Sequence, residues 1–143
     1  MNHKLDLAAL REVVTSLDEG LEVVGDPDWF IEQSEKVKNT LISGVVKNFE
    51  FVYEISVKMI KRAIEIESAS PAEVDESSFR DLMRMAGEKG LVADVEAWFR
   101  YRRMRNVTAH TYDHEKARHV YRDSAAFVDD ARSLLKVLEA RFA

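Results

Sequence analysis

The stretch KNFEFVYEISVKMIKRAIEIE, Lys47 to Glu67, decides the fold. Its charged residues Lys47, Glu50, Glu54, Lys58, Lys61 and Glu65 recur every three or four positions and form one narrow polar stripe on a helix. Around and just before that stripe, Leu41, Ile42, Val45, Val46, Phe49, Phe51, Val52, Tyr53, Ile55, Met59, Ile60, Ile64 and Ile66 are apolar. They cover far more than the ~100° that faces a single core. Two buried faces are implied. Either this helix lies centrally in its own bundle, or one face packs in the bundle while another builds a homodimer.

Outward from this spine the chain reads as helix almost throughout, with no alternating strand pattern, internal repeat or low-complexity segment. Upstream, an amphipathic helix runs from about Lys4 to Val24, weakened at Gly20 and ended by GDPDW. Asp28 reads as the cap of the spine, which extends from about Trp29 to Glu67. Downstream, Pro71 in ESASPAEVDESS forbids helix continuation at Ser70. A short helix from about Ser77 to Glu88, a turn at GEKGL, a helix from Asp94 to about Thr108, and a last helix from near Asp113 to Phe142 complete the chain. The expectation is an all-α, antiparallel up-and-down bundle of four or five helices, filling a single domain over residues 1–143.

Composition is that of a water-facing helical chain, 46% hydrophobic and 33% charged. No cysteine is present, which rules out disulfides, thiolate metal ligands and a cysteine nucleophile. The N-terminal MNHKLDLAALREVV breaks its apolar residues with charges, so neither a signal peptide nor a membrane span is expected, and the cytoplasm is the default location.

Net charge is −5, yet WFRYRRMRNVTAHTYDHE, Trp98 to Glu115, gathers four arginines, two histidines and two tyrosines. Between Trp98 and Arg122 there are seven Lys or Arg and two acids, so this segment carries +5 and the remainder −10. Such asymmetry marks one basic face or groove. Arg100, Arg102 and Arg103 are therefore candidate phosphate or nucleic-acid contacts, at a helix junction whose backbone N–H groups favour anions. Arg100, Arg103 and Arg105 cannot share one side of a helix, so at least one is expected to make a structural ion pair. Trp98, Phe99 and Tyr101 are candidate stacking platforms for bases, although Trp98 and Phe99 read better as bundle core.

Within RNVTAHTY, Arg105 to Tyr112, an unbroken helix would align Arg105 with Tyr112 but turn His110 about 140° from Arg105. For Arg105 and His110 to meet one ligand, the helix must end or distort near Ala109, or two chains must share the site. A neutral histidine can take the proton from a ribose 2′-hydroxyl while an arginine neutralises the adjacent phosphate. Together they suffice for metal-independent transesterification of RNA.

RNVTAHTY resembles the HEPN-domain signature R-x-x-x-x-H, with a polar residue, Asn106, after the arginine, and its extended HepT form R-x-x-x-x-H-x-Y. With FEFVYEISVKMIKRAIE, SPAEV and GLVADVEAWFRYRRMRNVTAHTYD, the chain from about Trp29 onward is similar to the nucleotidyltransferase substrate-binding proteins, encoded beside a minimal nucleotidyltransferase (MNT). The resemblance implies a HEPN-like helical bundle that dimerises near the motif, and a toxin–antitoxin pair in which this subunit is an RNase-type toxin. It implies Arg105 on phosphate, His110 as general base or acid, Asn106 in support, and Tyr112 as the residue to which the nucleotidyltransferase attaches AMP. The alternative is a noncatalytic subunit holding a nucleotide or polynucleotide for the partner enzyme. No cofactor is expected. His110, His114 and His119 with Asp113 and Glu115 suggest a metal site, but a helix boundary near Asp113 spoils their register and no metal is expected. Asp129 and Asp130 read as solvent-facing.

Overall fold

The computed structural model describes residues 4–110 and 113–142. Among them are seven α-helices and no strand: α1 (Ala8–Gly25), α2 (Pro27–Ile31), α3 (Glu35–Glu67), α4 (Pro71–Glu76), α5 (Phe79–Glu88), α6 (Val95–Val107) and α7 (His114–Phe142). A short 3₁₀ turn, Thr108–His110, follows α6. The all-α expectation holds, with more helices than the four or five expected.

The extra helices come from the two prolines. Each stands at the first position of a short helix, where its missing N–H costs nothing and its fixed φ suits the turn. Asp26, rather than Asp28, caps α2 by accepting from the Trp29 N–H, and Pro71 opens α4 as well as ending the preceding helix. The spine is likewise shorter than expected. Residues 32–34 break the helix, and α3 begins after Ser34, whose hydroxyl accepts from the Val37 N–H. The caps Ser78 and Asp94 bind the Asp81 and Ala97 N–H groups, and Asp113 Oδ1 accepts from Glu115 and Lys116 as α7 starts.

α3 packs chiefly against α1 and α7, with α4, α5 and α6 along its remaining length. These neighbours cover most of the apolar surface that exceeds one face, so the two-faced pattern is satisfied mainly inside the bundle. α1 runs through Gly20, where a Cβ would stand 3.3 Å from a Val45 methyl; glycine there lets α1 and α3 approach closely. The exposed row on α3 is Lys47, Phe51, Glu54, Lys58 and Arg62, so Phe51 belongs to the surface, 43% exposed.

The centre of the core is aromatic. Phe127 of α7 meets Phe49 of α3 at 4.8 Å, and Tyr101 and Trp98 of α6 at 4.7 and 5.8 Å, all edge to face. Trp98 is buried as expected, and Phe99 lies half-buried against Phe79. Tyr101 is core too, and its hydroxyl donates to Asp130, so Tyr101 offers no base-stacking face and Asp130 is only partly solvent-facing. No helix among the described residues is long and apolar enough to cross a membrane.

Candidate functional site

α6 carries the basic segment, and its helical register divides the arginines between two sides. Arg105 points to α3. Its Nε and Nη2 donate to one Glu54 oxygen, at 3.0 and 2.7 Å, with both side chains partly exposed. This hydrogen bond, opposed by some burial, holds the guanidinium's pKa above its ordinary value. The ion pair expected of at least one arginine is thus made by the motif arginine itself. A carboxylate oxygen here occupies the fork that would grip a phosphate oxygen.

Arg102 shares the Arg105 side of the helix and lies over the Phe79 ring, 4.5 Å from its centroid. Beneath both arginines is Tyr53 of α3, almost fully buried, its ring against Phe49. Burial pushes the Tyr53 phenol up to about 12, against the pull of Arg102 and Arg105. The folded state therefore holds this proton more tightly than the unfolded chain, whose tyrosine titrates at its ordinary 10.0. Its contribution to stability is complete below that value and disappears as pH rises from there towards 12, by about 2–3 kcal/mol. Denaturant titrations between about pH 9 and pH 11 are expected to show Tyr53→Phe losing stability less steeply than the parent. Equal slopes would remove Tyr53 from the account.

Arg100 and Arg103 face the other way, into a cavity shared with α7. The sequence reading grouped Arg100, Arg102 and Arg103 as one contact set; the structure splits them, because residues two apart on a helix diverge by about 200°. Asn106 is exposed.

α6 ends at Val107 and the chain tightens through Thr108–His110, where the Thr108 hydroxyl donates to the Arg105 carbonyl at 2.6 Å. The buried Thr108 thus satisfies the last turn as the α-helical register ends between Arg105 and His110, one of the two arrangements that would let them meet one ligand. Tyr112 and the side chain of His110 lie outside the described residues, so this geometry does not place them. Among the described residues, no three histidine or carboxylate side chains gather as metal ligands do.

Residues 5–140 match the family model described as nucleotidyltransferase substrate binding protein like. The chain belongs to this nucleotidyltransferase substrate-binding family. The match extends upstream of Trp29, so α1 and α2 are part of the family fold. Within the family, the chain is similar to a protein of Haemophilus influenzae named probable ribonuclease HepT, 39% identical over 141 residues, covering 99% of this chain and 97% of that one. A solved structure from Haemophilus influenzae, described as revealing the fold of a substrate binding domain of a nucleotidyltransferase, superposes with a TM-score of 0.91 at 38% identity. It covers 94% of this chain and 99% of that chain.

Glu54 is the residue that sequence reasoning missed. It was visible as one member of the polar stripe, but its pairing with an arginine 51 residues away has no local signal.

Proposed function

We propose that this substrate-binding family member is the RNase-type HEPN subunit of a toxin–antitoxin pair, cutting RNA without a metal and silenced by a minimal nucleotidyltransferase. The observation that carries the reading is the end of α6: a forked guanidinium at Arg105, then a tight 3₁₀ turn leading to His110. The likeness to a probable ribonuclease HepT supports it. In the reaction, the His110 imidazole takes the proton of a ribose 2′-hydroxyl and the oxygen attacks the adjacent phosphorus. The bond to the 5′-oxygen breaks, leaving a 2′,3′-cyclic phosphate and a 5′-hydroxyl once that oxygen is protonated. Arg105 exchanges Glu54 for the phosphate and neutralises its charge as the fifth bond forms. Asn106, exposed beside Arg105, supports the site by hydrogen bonding, and Tyr112 is the residue modified by AMP transfer.

A homodimer fits the same surface. Phe51, exposed on α3 one turn before Glu54, is a large apolar side chain at the edge of the motif, and a second copy seated there would cover it while flanking Arg105. The chain acts in the cytoplasm as one domain.

Purified protein and its His110→Ala variant, assayed on RNA with EDTA present and product ends read by mass spectrometry, test the cleavage reading. Cyclic-phosphate products from the parent alone are expected. A second reading, a noncatalytic subunit presenting a nucleotide or polynucleotide to the nucleotidyltransferase, is favoured by the family description and by the engagement of Arg105 with Glu54. It predicts no cleavage and equal RNA binding by both proteins. Co-expression with the neighbouring reading frame is expected to yield a stable complex under either reading; failure to co-purify would count against the partnership.

A further inference from the structure

The cavity between α6 and α7 has a volume of about 440 Å³, within the range of small-molecule sites. Its walls are Arg100, Tyr101, Arg103, Met104 and Val107 from α6, positions that repeat at three- and four-residue spacing, and residues of α7 from His119 to Ala126. Arg105 is not among them. Arg100, Arg103 and Arg122 line this hollow with His119, Arg122 also bordering a second hollow beside Glu35 and Arg118.

Most other guanidiniums in the molecule are engaged, although Arg62 and Arg84, like these three, have no carboxylate partner among the described residues. Arg11, Arg105, Arg118, Arg132 and Arg141 each have a carboxylate partner, and Arg80 and Arg102 lie over phenylalanine rings. Arg100, Arg103 and Arg122 have no carboxylate within ion-pair distance among the described residues, although Asp123 lies in the same wall. Three guanidiniums without carboxylate partners lining one concavity, in a chain of net charge −5, make a local surplus of positive charge that an anion would neutralise. Beside His119 and Asp123, the lining includes an apolar part from Met104, Val107, Val120 and Ala126. Bare phosphate leaves that apolar half unused, whereas a nucleobase fills it.

We propose that the α6–α7 cavity is a nucleoside-phosphate site, on the opposite side of α6 from Arg105, in which Arg100, Arg103 and Arg122 hold the phosphates. The base lies against Met104, Val107 and Val120, and Asp123 accepts from a ribose hydroxyl or an exocyclic amine. The site deepens the second reading, in which the subunit presents a nucleotide, and stands whether or not Arg105 and His110 cut RNA. Its occupant is either a free nucleotide or one nucleotide unit of an RNA strand.

Isothermal titration calorimetry with ATP, adenosine, tripolyphosphate and a short 2′-O-methyl oligoribonucleotide, which cannot undergo transesterification, distinguishes these outcomes. Arg103 and Arg122 are exposed, so charge reversal leaves the core intact, and circular dichroism checks this. Arg103→Glu and Arg122→Glu are each expected to weaken ATP binding by about tenfold or more, through loss of a charge-assisted contact. Arg62→Glu, the same charge change on the exposed row of α3, is expected to shift it by less than about twofold. Adenosine and tripolyphosphate are each expected to bind more weakly than ATP. An oligonucleotide that competes with ATP and is weakened by the same reversals identifies a strand's nucleotide as the occupant. An oligonucleotide indifferent to both reversals identifies a free nucleotide. ATP that fails to bind, or binds equally to both reversed variants, overturns the site. Cleavage assays on the same variants read the Arg105–His110 chemistry separately, so failure of one reading is not failure of the other.

Discussion

Arg105→Ala is expected to lower the rate of RNA cleavage by about 100-fold or more, the loss typical when one donor to a developing oxyanion is removed. The same change is expected to move stability by only about 0–1 kcal/mol, because the pair with Glu54 is partly exposed and screened. This separation of effects is the signature of an arginine whose work is done on the substrate. The converse variant, Glu54→Gln, keeps the shape of the partner but removes the charge that competes with phosphate. It is expected to tighten RNA binding by about threefold to tenfold, most at low salt. Rate measurements under single-turnover conditions, with melting curves on the same preparations, provide the check. An Arg105→Ala protein that melts far below the parent yet still cuts within a few-fold of its rate would assign Arg105 to the fold instead.

Phe127→Ala is expected to produce the largest loss of stability, about 3–5 kcal/mol, for a wholly buried ring. For a chain of this size that lowers the melting temperature by roughly 10 °C or more. The reason is position as much as area. Phe127 touches Phe49 of α3 and both Trp98 and Tyr101 of α6, so its removal leaves a void where three helices meet. Because Arg105 and its partner Glu54 lie on two of those helices, loosening that junction also loosens the fork. Thermal melts and cleavage rates measured together should therefore fall together in Phe127→Ala, in contrast to Arg105→Ala. A melting temperature within a few degrees of the parent would show that neighbouring side chains collapse into the space.

The helical class was legible because the apolar spacing of the spine is a local property, and so were the starts of α6 and α7 near Asp94 and Asp113. Proline was read one way only. At Pro27 and Pro71 the ring both terminates the preceding helix and starts the next, and the neighbouring Asp26 or Ser70 was the available clue. Ser34 followed by Glu35 was a further start signal, hidden inside a periodicity that continued on either side. In the site, the division of the arginines into two sides was readable from helical angles alone, as was the choice between a break before His110 and a site shared by two chains. What each side meets was not. Glu54 reaches Arg105, and Arg122 reaches the Arg100 side, only through the packing of helices far apart in sequence.

The position of α3 in the bundle has a consequence for how the molecule is made. This 33-residue helix, about 50 Å long, leaves the ribosome with α1 as its main cover, while α7, its other main cover, follows only after α4, α5 and α6. Its carboxylates at Glu35, Glu54 and Glu67 find Arg118, Arg105 and Arg141 only in the later half of the chain, and the Leu5 N–H closes onto the Phe142 carbonyl at 2.9 Å. The nascent polypeptide therefore carries an uncovered apolar flank on α3 until α7 has emerged, and anything that stalls translation within α7 leaves that flank exposed on a sticky fragment.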